Sequence, residues 1–473
     1  MRAVNSIPAI YLAKIKRLTM SPSWLRYLPY ALRSKIAHRT NLLEIASNIA
    51  WLISDKILRM SIGLFVGIWV ARYLGPENFG VLSYAGAIVA LFTAISTLGL
   101  NSIVVRDLVT NPSEADETLG TAFVLQILGG FIAFIASLTT VAYIRPDEGA
   151  LKIIVAIFGF ALVLKATDVV RYWYESRVQS KYVVWIDNAA FIAVAITKMI
   201  LIISGADLIT FAYAALLEAG IVASLLLFIY SSHHGHFLSQ WKFQYKRAKT
   251  LLLDSWPLIS SGLATMLYMR IDQIMLGQIL GNEAVGIYTA ALRLSEIWYF
   301  VPVTIAASIF PSILRARNQS FALYNDYIKN TLELMMLLAL ALAVPVSFLS
   351  DYIILWLYGS KFDGSAEVLL IHIWTGLFVF SGVVGGRWFI AENLQKYTLY
   401  RTLAGCVVNI LLNFLLIPKY GPVGSAWASV VSQATASFLF NALSEKTRPI
   451  FFMQLKAMGL SRTRNRIISL ARS

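Results

Sequence analysis

Long apolar stretches alternate with short polar ones along most of this chain, at the spacing of a bilayer rather than of a globular core. A membrane-crossing helix needs roughly 20 mostly apolar residues, and runs of that size follow one another from about residue 47 to about 442. The first set falls at about 47–71, 79–103, 119–143, 151–170, 183–204 and 208–230. After a polar loop a second set falls at about 255–279, 286–311, 329–355, 366–386, 397–417 and 422–442. The pattern predicts an all-α integral membrane protein with about twelve transmembrane helices. It divides into a basic N-terminal segment (1–46), a six-helix lobe (47–230), a linker (231–254), a second six-helix lobe (255–442) and a basic tail (443–473).

One short turn occurs twice. Leu74-Gly75-Pro76-Glu77-Asn78-Phe79-Gly80 separates the first two apolar runs, and Leu280-Gly281-Asn282-Glu283-Ala284-Val285-Gly286 repeats its Leu-Gly-x-Glu-x-x-Gly spacing 206 positions later. Near the end of each set, Ala212-Tyr213-Ala214 parallels Ala426-Trp427-Ala428 at an offset of 214. Six spans per half is an even number, so both halves enter the membrane from the same side and form a parallel repeat about an axis along the membrane normal.

Composition removes the soluble alternatives. Hydrophobic residues make up 58% of the chain and charged ones 14%, with a mean hydropathy of +0.68, too little polar surface to cover a globule in water. The net charge of +15 would suit nucleic acid, but the cations lie mainly in the segments flanking the apolar runs. With a cytoplasmic N-terminus, 29 Lys and Arg fall in inside segments and 5 in outside segments, namely Arg72, Arg145, Lys152, Lys361 and Lys419. This is the positive-inside imbalance. It predicts a multi-pass plasma (inner) membrane protein with both termini cytoplasmic, both repeated turns outside, and no nucleic-acid partner. The first 46 residues hold eight basic residues among scattered Ile, Leu, Trp and Tyr; they read either as amphipathic stretches on anionic headgroups of the membrane lipids or as a disordered basic tail.

Several kinds of chemistry lack their residues. The single Cys406 allows neither a disulfide framework nor a cysteine metal site. His233, His234 and His236 have no carboxylate close in sequence and read as a solvated loop. There is no Gly-x-x-x-x-Gly-Lys phosphate loop, nucleophile elbow or zinc motif, and the outside loops are short. The expectation is a protein that is not an enzyme and uses no cofactor or metal.

Candidate chemistry is therefore sought among charges inside the apolar runs, where an ionisable group is costly unless it faces protein or water. The first run carries Asp55, Lys56 and Arg59; later runs carry Lys165 and Asp168, Lys198, Glu218, Arg270 and Asp272, and Arg293 and Glu296. Lys165–Asp168 and Arg293–Glu296 have the spacing of neighbours on a helix and are open to simple pairing. Lys198 lies near a run end, where its stem can carry the charge to the interface. The other reading places Arg59, Arg270, Lys56 and Arg293 on a central cleft, where cations at low dielectric hold a phosphate or pyrophosphate head group. Asp55 and Asp272 are candidates for ion or proton coupling, or for neutralising neighbouring Arg. Trp51, Trp69, Tyr268, Trp298 and Tyr299 read mainly as packing or interface residues, with sugar stacking as the alternative.

The stretch Ala71-Arg72-Tyr73-Leu74-Gly75-Pro76-Glu77-Asn78-Phe79-Gly80, with Gly99-Leu100-Asn101, Arg106-Asp107, Asp272-Gln273-Ile274-Met275-Leu276-Gly277 leading into Gly286-Ile287-Tyr288, Tyr358-Gly359, and Tyr420-Gly421-Pro422-Val423-Gly424-Ser425-Ala426, resembles the oligosaccharide flippases of polysaccharide biosynthesis. These share a superfamily with multidrug and toxic-compound extruders and lipid II flippases. The resemblance covers about residues 45 to 440. It implies two six-helix lobes in a V, alternating access, and movement of an undecaprenyl-pyrophosphate-linked oligosaccharide from the cytoplasmic to the periplasmic leaflet. It also implies a lipid-linked oligosaccharide as substrate, contact with glycan polymerase machinery, and a monomer. The alternatives are a cation-coupled drug antiporter of the same superfamily, whose cavity would be acidic, and a membrane polymerase or scaffold of glycan assembly.

Overall fold

The computed structural model describes residues 40–234 and 238–459, with side chains placed over 59–232 and 239–459. Most of the N-terminal segment, the end of the tail, the side chains of Asp55, Lys56, His233 and His234, and residue His236 lie outside the described residues. Contacts group the chain into two units, Met1–Met60 and Ser61–Ser473. The described part of the first is helical, and the second contains the buried hydrophobic residues, from Val66 to Ala457.

The described chain is helical throughout, with short connections. The elements are α1 (Thr40–Leu91), α2 (Thr93–Thr97), α3 (Asn101–Thr110), α4 (Ala115–Ile144), α5 (Gly149–Leu164), α6 (Val169–Ser176), α7 (Lys181–Ile203) and α8 (Leu208–His234). They continue as α9 (Tyr245–Leu280), α10 (Asn282–Glu296), α11 (Phe300–Gln319), α12 (Phe321–Leu357), α13 (Gly364–His372), α14 (Thr375–Ala391), α15 (Gln395–Ser437) and α16 (Arg448–Met458). Among the described residues eight helical stretches are long and apolar enough to cross a membrane, or nine when the bent pair Arg59–Leu91 and Thr93–Thr110 counts as one span. The chain is thus an all-α, multi-pass membrane protein. Such helices can cross lipid because each satisfies its own backbone hydrogen bonds where no water is available.

Eight or nine such stretches are fewer than the expected twelve. The backbone of α1 breaks at Gly75 (φ 72°, ψ 171°) and that of α15 at Gly421 (φ 57°, ψ −138°), so each continuous stretch contains two helices. Helix α9 carries Arg270, Asp272 and Gln273 within its apolar part and is not among the eight.

The repeated turns share a backbone conformation. Gly281 (φ 90°, ψ −173°) matches Gly75, and both sit in a region that a Cβ forbids. Proline or asparagine comes next as the first residue of the following helix, a position that lacks a helical N–H partner anyway. The two turns also touch. A Cβ on Gly80 would lie 1.7 Å from the Asn282 carbonyl oxygen, and one on Gly286 would lie 2.0 Å from that of Pro76. Each turn therefore packs its last glycine on the backbone just after the other turn's first glycine.

A polar clamp flanks this contact. Arg145, at the end of α4, donates to Glu148 Oε1 at 2.5 Å, to Asn282 Oδ1 at 2.8 Å and to the Gly277 carbonyl. Its guanidinium lies 4.5 Å from the Tyr84 ring centre, and the Tyr84 hydroxyl accepts from Gln278. At another junction Arg106 donates to Asp254 at 2.7 Å and Arg247 pairs with Asp107 at 3.1 Å, tying α3 to the start of α9. Elsewhere helices meet through small residues and interhelical bonds, as lipid-embedded helices must in the absence of a hydrophobic drive between them. Gln126, for example, donates to Tyr172 at 3.0 Å and to the Thr97 carbonyl at 3.1 Å.

Candidate functional site

A cavity of about 460 Å³ opens where α1, α7 and α8 face α9 and α10. Its walls include Gly67, Phe79, Phe158, Phe191 and Phe211, and five ionisable side chains reach it: Lys198, Glu218, Arg270, Arg293 and Glu296. Helix register brings several of them to the same wall. Arg270 and Gln273 lie three apart on α9, and Thr289, Arg293 and Glu296 succeed one another at intervals of four and three on α10, so each set shares a face. Gln273 donates to Thr289 at 3.0 Å and links the two helices behind the cations.

Arg293 is the best-defined cation. Its guanidinium carbon lies 4.8 Å from the Phe79 ring centre, within cation–π range, and Gly67 leaves it room, since a Cβ there would sit 2.8 Å from Nη1. The side chain is exposed, and the space it meets is the cavity. No ion pair joins Arg293 to Glu296 among the described residues, whereas Lys165 does pair with Asp168 at 3.8 Å. The i, i+3 spacing is a sound guide to the second pair and a poor one to the first: Arg293 turns toward Phe79 instead. Three cations against two carboxylates leave the cavity with a surplus positive charge.

A second polar cavity of about 300 Å³ lies beside it, and Leu292 and Glu296 line both. Its centre is Asp272, buried on α9. Asn413 donates to Oδ1 at 2.6 Å, and Tyr288 and Ser429 donate to Oδ2 at 2.8 and 2.5 Å. Asn413 is itself fixed by Asn409 at 3.0 Å and Ser425 at 2.8 Å. Helices α9, α10 and α15 thus surround one carboxylate with polar side chains, and among the described residues no cation is paired with it. Arg401 lines the same cavity; it donates to the Gly382 carbonyl at 3.3 Å, and its Nη1 is buried without a partner.

The expected site residues therefore separate. Arg270 and Arg293 share one cavity and Asp272 occupies the neighbouring one. Arg59 is half-buried on α1 and belongs to the unit ending at Met60; Lys56 and Asp55 lie outside the described side chains. The sequence reads Lys198 as an interfacial lysine and counts Arg401 among the inside-segment cations, yet both line cavities. The signal available for Lys198 is Glu218 on the next helix, a second charge in an apolar run. For Asn409 and Asn413 it is the i, i+4 spacing of two amides in an otherwise apolar stretch.

The all-α membrane fold is one that solved multidrug transporters share. The chain superposes on an inward-facing multidrug resistance MATE family transporter with a TM-score of 0.67 at 15% identity, over 86% of this chain and 96% of the other. It superposes on the lipid II flippase MurJ in an inward closed conformation with 0.66 at 16% identity, over 86% and 91%, and on an outward-facing MATE transporter with 0.54. Residues 45–317 match the family described as "Polysaccharide biosynthesis protein", and the chain belongs to it; residues 257–415 also match the MatE family. Among curated proteins it is 25% identical to the "Probable low-salt glycan biosynthesis flippase Agl15" of Haloferax volcanii, over 79% of this chain and 78% of that protein.

Proposed function

We propose that this protein is a flippase that carries a polyprenyl-pyrophosphate-linked oligosaccharide from the cytoplasmic to the periplasmic leaflet by alternating access. The observation that carries the proposal is the convergence of Lys198, Arg270 and Arg293 on one cavity. Cations in a confined, low-dielectric space favour an anionic head group, and the Arg forks suit phosphate oxygens. The family membership and the flippase names of its relatives agree with this reading. Arg59 and Lys56 join the head-group set on sequence grounds.

The architecture proposed with it is twelve spans in two six-helix lobes. Breaking α1 at Gly75 and α15 at Gly421 and counting α9 yields twelve, and the 206-residue repeat relates the leading helices of each lobe. The turn contact and the Arg145 clamp then close the periplasmic end, which fits the higher likeness to inward-facing than to outward-facing transporters. Asp272 is the proposed coupling group, taking a proton or a monovalent cation among its oxygen ligands. A drug antiporter is disfavoured by the positive surplus, and the flippase and transporter names of the relatives favour transport over an enzyme.

In a strain without a redundant flippase, deletion should trap lipid-linked oligosaccharide on the cytoplasmic leaflet. Arg270→Ala or Arg293→Ala should each reproduce part of the block. A charge-assisted hydrogen bond contributes about 1.5–3 kcal/mol, so each loss should lower head-group affinity roughly tenfold to a hundredfold. Normal surface glycan in the deletion strain would end the transport reading; wild-type transport by both variants would end the site assignment alone.

A further inference from the structure

A third cavity, of about 580 Å³, lies apart from the charged sites above, where the start of α12, the end of α14 and α16 meet. Three lysines line it: Lys329 from α12, Lys446 from the segment just before α16, and Lys456 from α16 itself. The one carboxylate among its lining residues, Glu392, accepts from Arg317 through Oε2 at 3.1 Å, while its Oε1 is buried without a partner. The rest of the wall is largely apolar and aromatic, including Trp388, Phe452 and Met453. Phe321 and Phe452, at its rim, are 72% and 54% exposed, so the apolar side of the cavity runs out onto the surface. Asn325 also lines it, and its Oδ1 is buried without a hydrogen-bond partner, a costly state for a carbonyl acceptor.

The cavity joins three lysines to a largely apolar wall, with buried polar atoms left unpaired at Asn325 Oδ1, Glu392 Oε1 and the Tyr324 hydroxyl. That combination does not suit a sugar, which would leave the ammonium groups unneutralised, or a free inorganic anion, which would leave the aromatic rim uncovered. We infer that the cavity formed by α12, α14 and α16 binds an acidic glycerophospholipid of the cytoplasmic leaflet. The phosphate lies among Lys329, Lys446 and Lys456, a head-group hydroxyl donates to Asn325, and an acyl chain lies along Phe321 and Phe452. Basic pockets between helix ends on the cytoplasmic side recognise such head groups, and the three contributing segments are the ones that the positive-inside count assigns to that side. The lipid site depends on that orientation and not on the transport reading; its readout is binding, so either can fail alone.

The test uses the full-length protein in a neutral detergent and records its thermal midpoint and its lipid adducts by native mass spectrometry. Phosphatidylglycerol, phosphatidylcholine and inorganic phosphate are titrated separately. Phosphatidylglycerol should raise the midpoint saturably and remain as a one-to-one adduct, and the other two should do neither. The K329Q/K446Q/K456Q variant should bind it at least tenfold more weakly, Asn325→Leu should weaken it severalfold, and K246Q/K249Q, which removes an exposed pair of cations elsewhere, should bind as wild type. Should the triple variant fold poorly, Lys456→Gln alone, on the exposed side of α16, carries the same comparison. An equal shift with phosphatidylcholine, an equal shift with inorganic phosphate, or an equal loss in K246Q/K249Q would each overturn the inference.

Discussion

Arg293 shows how one side chain's environment outweighs its sequence neighbours. Three residues from Glu296 on the same helix, it forms no ion pair with it and instead lies over Phe79 with Gly67 beneath its Nη1. Arg293→Lys would keep the charge and lose both the planar fork and the fit over the ring. In reconstituted vesicles it should retain transport above that of Arg293→Ala but well below wild type; equal rates for Lys and Arg would mean that charge alone is used. Gly67→Ala should act on the same group from the other side, displacing the guanidinium and lowering transport without changing the expression level. Asp272 calls for a different substitution. Its three donors already satisfy both oxygens, so Asp272→Asn keeps the volume while removing the charge. The protein should still fold, and ion- or proton-dependent transport should fall by at least tenfold; unchanged dependence on the imposed gradient would exclude Asp272 from coupling.

At the level of elements, the repeated turn is both a sequence feature and a contact. Gly75 and Gly281 set the backbone reversal, and Gly80 and Gly286 let the two turns meet. A methyl group at Gly80 or Gly286 would enter the opposing backbone, which cannot move aside as a flexible side chain could. Gly80→Ala and Gly286→Ala should therefore separate the turns and favour the state in which this end is open, read as increased labelling of an engineered cysteine at Asn78. Gly75→Ala should cost about 1–3 kcal/mol from backbone strain and lower the thermal midpoint. Arg145→Ala, which releases Glu148, Asn282 and the Gly277 carbonyl together, should shift the same labelling in the same direction with a smaller loss of stability.

For the whole molecule, the distribution of charge predicts the topology. In a Cys406→Ser background, Asn78→Cys and Glu283→Cys should react with a membrane-impermeant thiol reagent from the periplasmic side, and Lys249→Cys and Lys446→Cys only after the membrane is opened. Reaction of the first pair from the cytoplasmic side would invert the molecule, and with it the side to which the turn contact and the lysine-lined cavity belong.

Much of the fold is legible in the sequence, because membrane-crossing helices are chosen by a local quantity. Apolar run length sets which segments span, and Lys and Arg counts set the expected sidedness; neither depends on which helix packs on which. The repeat was also legible, since its glycines answer to backbone geometry that is carried within seven residues. The site was legible only in part. Charges such as Arg270, Arg293 and Asp272 stood out as costly groups in apolar runs, but their cost says nothing about their company. Whether Arg293 would pair with Glu296 or lie over Phe79, whether Lys198 would reach the interface or the cavity, and whether Arg401 would flank a helix or line a polar chamber were decided by helices far apart in the chain. Asp272 is the clearest case. Its sequence neighbours suggested an arginine partner, and the tertiary structure surrounds it instead with Tyr288, Asn413 and Ser429, because burial favours whichever donors the packed helices bring within hydrogen-bonding distance.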